Sequence, residues 1–266
     1  MPRVAVNDVE IYYEWHGPAG APVLVLNNGI LMNAASSWVR QTTEFARHYR
    51  VLQHDCRGQG QSGHPDAPYS MEQHADDLAG LLDALGVATA HVAGISYGGE
   101  VAQAFALRHP GRVRGLVLAD TVSEVGPELR VVMQAWLAAA RAGDADGFFD
   151  VTVPWNFSPR FIAANGPLLA DARRRYRELD LAAVARLCEA FGGVAFTARL
   201  AEITAPTCVI VGADDILKGP AYARRIAGAI RGAELHVIAD AGHAVCWERP
   251  AEFNTVVLGF LARCRE

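Results

Sequence analysis

The chain has 266 residues, of which 51% are hydrophobic and 20% are charged, and its formal net charge is −5. This mild acidity leaves no basic footprint for a nucleic acid, and no apolar stretch approaches the ~20 residues of a membrane span. The first residues, MPRVAVNDVEIYYEWHG, lack a basic segment followed by an apolar core, so no signal peptide is expected.

The first half of the chain alternates predicted strands and helices. A β-hairpin around Asn7-Asp8 comes first, followed by VLVLNN, a continuous apolar run typical of a strand buried on both faces. The later segments are, in order, a helix in SSWVRQTTEFARHY, a strand RVLQHD, a loop CRGQGQSGHP, a helix SMEQHADDLAGLLDALGV, a strand ATAHVAGIS, a helix YGGEVAQAFALRHP and a strand VRGLVLAD. This alternation predicts a doubly wound, mostly parallel sheet with helices on both faces.

The alternation stops between Thr121 and Ile203, where only helical patterns are found. It resumes with APTCVIVGADD, AYARRIAGAI, AELHVIADAG and AEFNTVVLGFLARC. We therefore predict a core domain formed by residues 1–121 and 203–266, with residues 122–202 as a helical insertion. Within the insertion, VPWNFSPRF contains two prolines that break the helical pattern, and we expect a loop there.

The segment AGISYGG places Ser96 within a G-x-S-x-G pattern, Gly94 to Gly98. Five residues of this kind match often by chance in a chain with 25 glycines. Here, however, the pattern lies between a predicted strand and a predicted helix, the context of a nucleophile elbow. Small flanking residues are required because helix and strand approach closely at such a turn.

A serine hydroxyl is a weak nucleophile at neutral pH, and it needs a base that is itself oriented by a carboxylate. Asp215 follows the predicted strand CVIV, and His243 follows the predicted strand LHVI. Because the carboxyl ends of parallel strands meet at one edge of a sheet, both residues are expected on the same edge as Ser96.

With these segments in place, the chain resembles the α/β-hydrolases over essentially its whole length. The resemblance is carried by PVLVLNNGI, HDCRGQGQS, AGISYGGEVAQAFALRHP, VIVGADDILK and GHAVCWERP. It implies Ser96 as nucleophile, Asp215 as acid and His243 as base of a catalytic triad. It also implies that residues 122–202 form a cap, or lid, over the active site.

Three other residues compete for these roles. Asp120 ends the strand VLAD, a position that some members of the family use for the acid, and Asp214 is adjacent to Asp215. His54 lies at a predicted strand end and is the rival base nearest to the sheet edge.

The family pattern also implies an oxyanion hole formed by two backbone N–H groups. One donor is Tyr97, which follows the nucleophile, and the other is Ile30 in the loop NNGI, where Asn28 replaces the usual histidine. Substrate contacts are expected from Asn28 and from aromatic residues of the insertion, with three candidates: Trp136, Trp155 and Phe157.

We therefore expect a serine hydrolase that cleaves a carboxylic ester or lactone with an apolar acyl part through an acyl-enzyme on Ser96. An acyltransferase or thioesterase could use the same triad, and a cofactor-free perhydrolase or oxygenase has the same fold. Five cysteines without metal-ligand pairing indicate reduced thiols. Reduced thiols are typical of a cytoplasmic protein, which we expect here. We also expect a monomer or homodimer that acts on a small molecule without a metal or other cofactor.

Overall fold

Residues 2–264 are described by a computed structural model, in which eight strands form a single sheet. The strands are β1 Arg3–Val6, β2 Val9–His16, β3 Val23–Asn27, β4 Arg50–His54, β5 Ala90–Ile95, β6 Val113–Ala119, β7 Thr207–Gly212 and β8 Glu234–Ile238. They lie in the order β1-β2-β4-β3-β5-β6-β7-β8. Strand β2 pairs antiparallel with both β1 and β4, and the remaining pairs are parallel. The predicted fold class is confirmed.

The helices alternate with the strands except in one long insertion. They are α1 Ala34–Ser37, α2 Thr42–Phe45, α3 Met71–Ala84, α4 Tyr97–Arg108, α5 Pro127–Ala142, α6 Ala145–Asn156, α7 Pro159–Ala164, α8 Gly166–Tyr176, α9 Leu181–Gly192, α10 Pro220–Ala229, α11 Val245–Glu248 and α12 Pro250–Leu261. The single helix expected in SSWVRQTTEFARHY is in fact two short helices, α1 and α2, separated by a turn.

Apolar side chains cover both faces of the sheet. On one face the buried cluster includes Leu78 of α3, Phe105 of α4 and Ile226 of α10. On the other face it includes Phe45 of α2 and Phe253 of α12. A parallel sheet buried on both faces requires the continuous apolar strands that the sequence contains.

Helices α5 to α9 occupy the chain between β6 and β7. The expectation of a loop over VPWNFSPRF is wrong for most of its length, because α6 continues through Pro154 to Asn156 and α7 begins at Pro159. Proline removes the hydrogen bond to the carbonyl four residues earlier, and that carbonyl belongs to the exposed Asp150, where water can replace the lost donor. Only residues 157–158 remain outside a helix. The division into core and cap stays a prediction.

Close backbone approach explains the glycines around Ser96. A Cβ atom on Gly94 would lie 2.0 Å from the carbonyl oxygen of Gly98, and one on Gly98 would lie 2.2 Å from the carbonyl oxygen of Asn27. Both obstacles are backbone atoms, which cannot rotate away as a side chain can. The turn between β5 and α4 is therefore open only to residues without a side chain at these positions.

We expect Gly98→Ala to lower the free energy of unfolding by at least about 2 kcal/mol, because the added methyl group forces α4 away from β3. Gly228→Ala is the matched control, since a Cβ atom there meets nothing within 4 Å. It is expected to be neutral or stabilising by up to about 1 kcal/mol. Urea unfolding of both variants measures the difference, and equal stabilities would contradict the steric explanation.

Candidate active site

Ser96 lies at the sharp turn between β5 and α4, with φ 53° and ψ −118°. Positive φ is uncommon for a residue with a side chain, and it is maintained only where the surroundings impose it. Here the N–H of Ser96 donates to the carbonyl of Ala119 in the adjacent strand β6, at 2.8 Å. This hydrogen bond to β6 is one of the contacts that hold the turn at Ser96 in place.

The structure brings the three predicted triad side chains together. Ser96 Oγ lies 2.8 Å from Nε2 of His243, and Nδ1 of His243 lies 2.9 Å from Oδ2 of Asp215. All three residues are buried. These are the contacts that nucleophile, base and orienting carboxylate require.

The other oxygen of Asp215, Oδ1, accepts hydrogen bonds from the backbone N–H groups of Leu217 and Lys218, at 2.8 and 2.9 Å. Burial alone would raise the pKa of Asp215, but the charge of His243 and these hydrogen bonds outweigh burial, so the pKa is lowered. Asp215 is therefore ionised at neutral pH and turned toward the imidazole.

The rival residues have other partners. The two carboxylate oxygens of Asp120 accept from the N–H groups of Gly212 and Val245, each at 3.0 Å. Burial and the nearby charge of Asp215 raise the pKa of Asp120 well above its usual range. Asp120, directly after β6, is thus bonded to the last residue of β7 and to the first residue of α11.

Asp214 is exposed, and its side chain has no contact with His243 among the hydrogen bonds and ion pairs of residues 2–264. His54 is buried with Nε2 3.1 Å from Oδ1 of Asn27, and burial lowers its pKa to about 4. His54 is therefore neutral and is already bonded to Asn27, the last residue of β3, so we interpret it as a packing residue.

The two predicted oxyanion donors border one small cavity. Ile30, Tyr97 and Ser96 line a space of about 10 Å³, which is about one water molecule in size. The hydroxyl of Tyr97 lies 2.6 Å from Nε2 of His74, which anchors the ring in the core. The aromatic ring is thus a structural anchor, and the donor role of the Tyr97 backbone stays a prediction.

Sequence reasoning missed the residue that holds the Ile30 loop. The side-chain amide of Gln59 donates to the carbonyls of Gly29 and Ile30, at 3.0 and 3.4 Å. Its own carbonyl oxygen accepts from the N–H of Cys56. The loop CRGQGQSGHP could have indicated this role for Gln59. An amide side chain that is buried in a loop needs hydrogen-bond partners, and backbone groups can supply them.

A separate cavity of about 110 Å³, which we call the apolar cavity, opens beside Ser96 and His243. Its walls come from the Ile30 loop, from α6 and α8, and from α11, and they include Val153, Phe157, Leu168 and Trp247. Arg175, an exposed residue of α8, also borders it. The cavity therefore offers a mostly apolar surface next to the serine hydroxyl.

The predicted substrate-contact residues lie in different places. Phe157 borders the apolar cavity, and with Trp155 it also borders a cavity of about 350 Å³ on another side of His243. Trp136 borders the small cavity that Ser96 also borders. Asn28 is fully buried and its amide donates to the carbonyl of His54 at 2.7 Å, so it joins β3 to β4 and lines none of these cavities.

Other expectations concern metals, thiols and membranes. Within residues 2–264, no group of three or more His, Cys, Asp or Glu side chains is arranged to hold a metal ion. The five cysteines are free thiols, and burial raises the pKa of Cys56 and of Cys246. In the same part of the chain, no helix is long and apolar enough to cross a membrane. The use of no cofactor stays a prediction.

A family model described as the alpha/beta hydrolase fold matches residues 22–250. The chain belongs to the α/β-hydrolase family. This confirms the predicted family and the predicted enzyme class.

Individual members of the α/β-hydrolase family are similar over nearly the whole chain. One is 3-oxoadipate enol-lactonase 2 of Acinetobacter baylyi, 29% identical over 98% of this chain and 96% of that protein. A protein of Azorhizobium caulinodans, provisionally named carbamate hydrolase RutD, is 30% identical over 98% of both chains. Among solved structures, the enol-lactonase from Burkholderia xenovorans LB400 has a TM-score of 0.92 and 32% identity, covering 98% of this chain and 100% of that one.

Proposed function

We propose that this α/β-hydrolase is a serine hydrolase that cleaves a carboxylic ester or lactone with an apolar acyl part. The observation that carries the proposal is the continuous contact from Ser96 Oγ through His243 to Asp215. It is supported by the strained backbone at Ser96 and by two enol-lactonases among the relatives. The roles given below to individual residues are part of the proposal.

In the acylation step, Ser96 Oγ attacks the substrate carbonyl while its proton passes to Nε2 of His243. The carbonyl oxygen becomes an oxyanion, which accepts hydrogen bonds from the backbone N–H groups of Ile30 and Tyr97. Asp215 stabilises the imidazolium through Nδ1. The intermediate then collapses, the bond to the alkoxy oxygen breaks, and His243 donates the proton to that oxygen.

In the deacylation step, His243 takes a proton from water as the water oxygen attacks the acyl carbon. The bond from that carbon to Ser96 Oγ breaks, and His243 returns the proton to Oγ. A lactone differs from an open ester only in that its alcohol remains covalently attached to the acyl part, so both follow the same steps.

The proposed substrate preference follows from the walls of the apolar cavity. Val153, Phe157 and Leu168 are apolar, so an apolar acyl or ring portion of the substrate loses no hydrogen bonds when it leaves water there. The apolar cavity, with a volume of about 110 Å³, has room for a small acyl or ring group.

A second candidate is carbamate cleavage, which the similarity to the Azorhizobium protein favours. The same nucleophile and oxyanion hole could attack a carbamate carbonyl. That carbonyl is less electrophilic because the nitrogen lone pair is delocalised into it. With this apolar cavity, we expect the ester or lactone to react faster.

The test is a matched substrate panel: a small lactone, the open-chain ester with the same acyl carbon count, and the carbamate in which nitrogen replaces the α-carbon. We expect kcat/KM for the lactone or ester to exceed that for the carbamate by at least about tenfold, an advantage of about 1.4 kcal/mol in the transition state. Carbamate turnover that equals or exceeds ester turnover would transfer the assignment to the second candidate. Ser96→Ala serves as the background measurement for every substrate.

A further inference from the structure

A buried ion pair lies directly beside the proposed nucleophile. Nζ of Lys218 lies 3.0 and 2.9 Å from the two carboxylate oxygens of Glu100 and 3.3 Å from Ser96 Oγ. The two side chains are only 5% and 0% exposed. Removing both charges from water is costly, and a buried pair by itself is weak evidence for a stabilising role.

Other contacts hold the ammonium in this position. Glu100 is oriented by hydrogen bonds from the N–H of Val122, at 2.9 Å, and from the hydroxyl of Thr121. The ring of Phe191 in α9 lies over the ammonium, with 4.3 Å from Nζ to the ring centroid. The donors of Lys218 are therefore directed at the carboxylate and at the serine oxygen.

The same residue also contacts the other end of the Ser96–His243–Asp215 chain. The backbone N–H of Lys218 donates to Oδ1 of Asp215 at 2.9 Å. Lys218 also borders the small cavity whose walls include Ser96 and both proposed oxyanion donors, Ile30 and Tyr97.

The composition of the chain singles out this position. Lysine and arginine together number 24, and Lys218 is the only lysine. A guanidinium is planar and larger, whereas an ammonium is a compact charge with three donors. Two of those donors fit Glu100 and the third faces Ser96, so the site suits lysine specifically.

We propose, on the basis of the function proposed above, that Lys218 is a catalytic residue whose ammonium stabilises negative charge on Ser96 Oγ. In acylation, charge develops on Oγ as its proton moves to His243 and the bond to carbon forms. In deacylation, charge develops there again as that bond breaks and before His243 returns the proton. Lys218 neither gains nor loses a proton, and Glu100 is a positioning residue that orients it.

The competing explanation is a structural ion pair that only ties α4 to the loop after β7. Lys218→Met and the double variant Lys218→Met/Glu100→Gln separate the two explanations. The single variant leaves a buried carboxylate without its partner, whereas the double variant removes both charges and retains an amide oxygen that can accept from Val122. The double variant is therefore expected to recover most of the stability that the single variant loses.

Two rates are measured beside the unfolding free energy: kcat/KM for a p-nitrophenyl ester and the rate constant for labelling of Ser96 by a fluorophosphonate. We expect both rates to fall about 10- to 100-fold in both variants, with KM within about threefold of wild type. In the double variant we expect both rates to stay low although the unfolding free energy recovers. If the single variant does not fold, the double variant alone decides.

The buried pair Arg57–Asp77 offers a matched control, with side-chain exposures of 0% and 5%. Arg57→Met/Asp77→Asn is expected to change stability while kcat/KM per folded molecule stays within about threefold.

A measurement on the unmutated protein uses the single lysine. After selective labelling with ¹⁵N-lysine, the one Nζ resonance is expected to shift when Ser96 is phosphonylated and to stay unchanged when Ser96→Ala is treated in the same way.

A double variant that regains the wild-type rate together with its stability would overturn the role of Lys218, as would an Nζ resonance unmoved by phosphonylation. In both of these cases, ester turnover by the wild-type protein would still support the proposed function. A wild-type protein that is neither labelled nor active overturns the proposed function, and the role of Lys218 with it.

Discussion

Replacing Ser96 by alanine is expected to lower kcat by about 10⁴- to 10⁶-fold and to abolish labelling by a fluorophosphonate. The reason is that Oγ is the atom that bonds to the acyl carbon, so the variant retains only substrate binding and the oxyanion donors. Alanine has no atom 2.8 Å from Nε2 of His243 to take over this role. Steady-state hydrolysis of a p-nitrophenyl ester and intact-protein mass spectrometry after labelling measure both effects.

Ser37→Ala is the matched control for this experiment. Ser37 is also buried and also borders the apolar cavity. We expect this variant to be labelled normally and to retain kcat within about threefold, since ordinary substitutions away from the reacting atoms have small effects. Ester hydrolysis that survives in purified Ser96→Ala protein at the wild-type rate would refute the nucleophile assignment.

Asp215→Asn is expected to reduce kcat by about 10⁴-fold. The amide keeps nearly the same shape, but it carries no charge to stabilise the imidazolium, and its nitrogen can donate where the carboxylate accepts from Nδ1 of His243, now at 2.9 Å. The imidazole then favours the tautomer with a proton on Nε2, which cannot take the proton of Ser96. The comparison is the kcat of this variant against that of Asp120→Asn.

Asp120→Asn is expected to lower the stability of the protein and to leave its kcat nearly unchanged. Both oxygens of Asp120 accept backbone N–H groups, so an amide nitrogen placed opposite one of them loses a hydrogen bond. We expect a loss of about 1–3 kcal/mol in unfolding free energy, with kcat within about tenfold of wild type. Should the two variants exchange these behaviours, Asp120 rather than Asp215 would be the orienting acid.

Much of the site was predictable because it depends on order along the chain. Ser96, Asp215 and His243 each follow an apolar strand, and parallel strands bring their carboxyl ends to one edge. The glycines flanking Ser96 were also predictable, since a strand-to-helix turn of this kind excludes side chains at those positions.

Other features depended on contacts that no local pattern records. Pro154 lies inside a helix, and the carbonyl that it leaves without a donor belongs to the exposed residue Asp150, which the two prolines of VPWNFSPRF could not reveal. Asn28 was expected near the substrate, yet its amide is bonded to the carbonyl of His54. Whether a polar side chain faces a cavity or a neighbouring strand is decided by the packing around it.

The sequence by itself determined the family, the alternation of strands and helices, and the positions of the three candidate catalytic side chains. The family follows from the resemblance of several motifs in order along the chain. The alternation follows from the apolar pattern of consecutive residues, and the shared sheet edge follows because parallel strands direct their carboxyl ends the same way. Only the tertiary structure decided which partners the buried polar groups have. Glu100 and Lys218 lie on different elements, far apart in the chain, and their ammonium–carboxylate contact exists only where α4 meets the loop after β7. The free energy of burying a charge depends on what surrounds it in space, so the residue beside Ser96 could be found only in the folded chain.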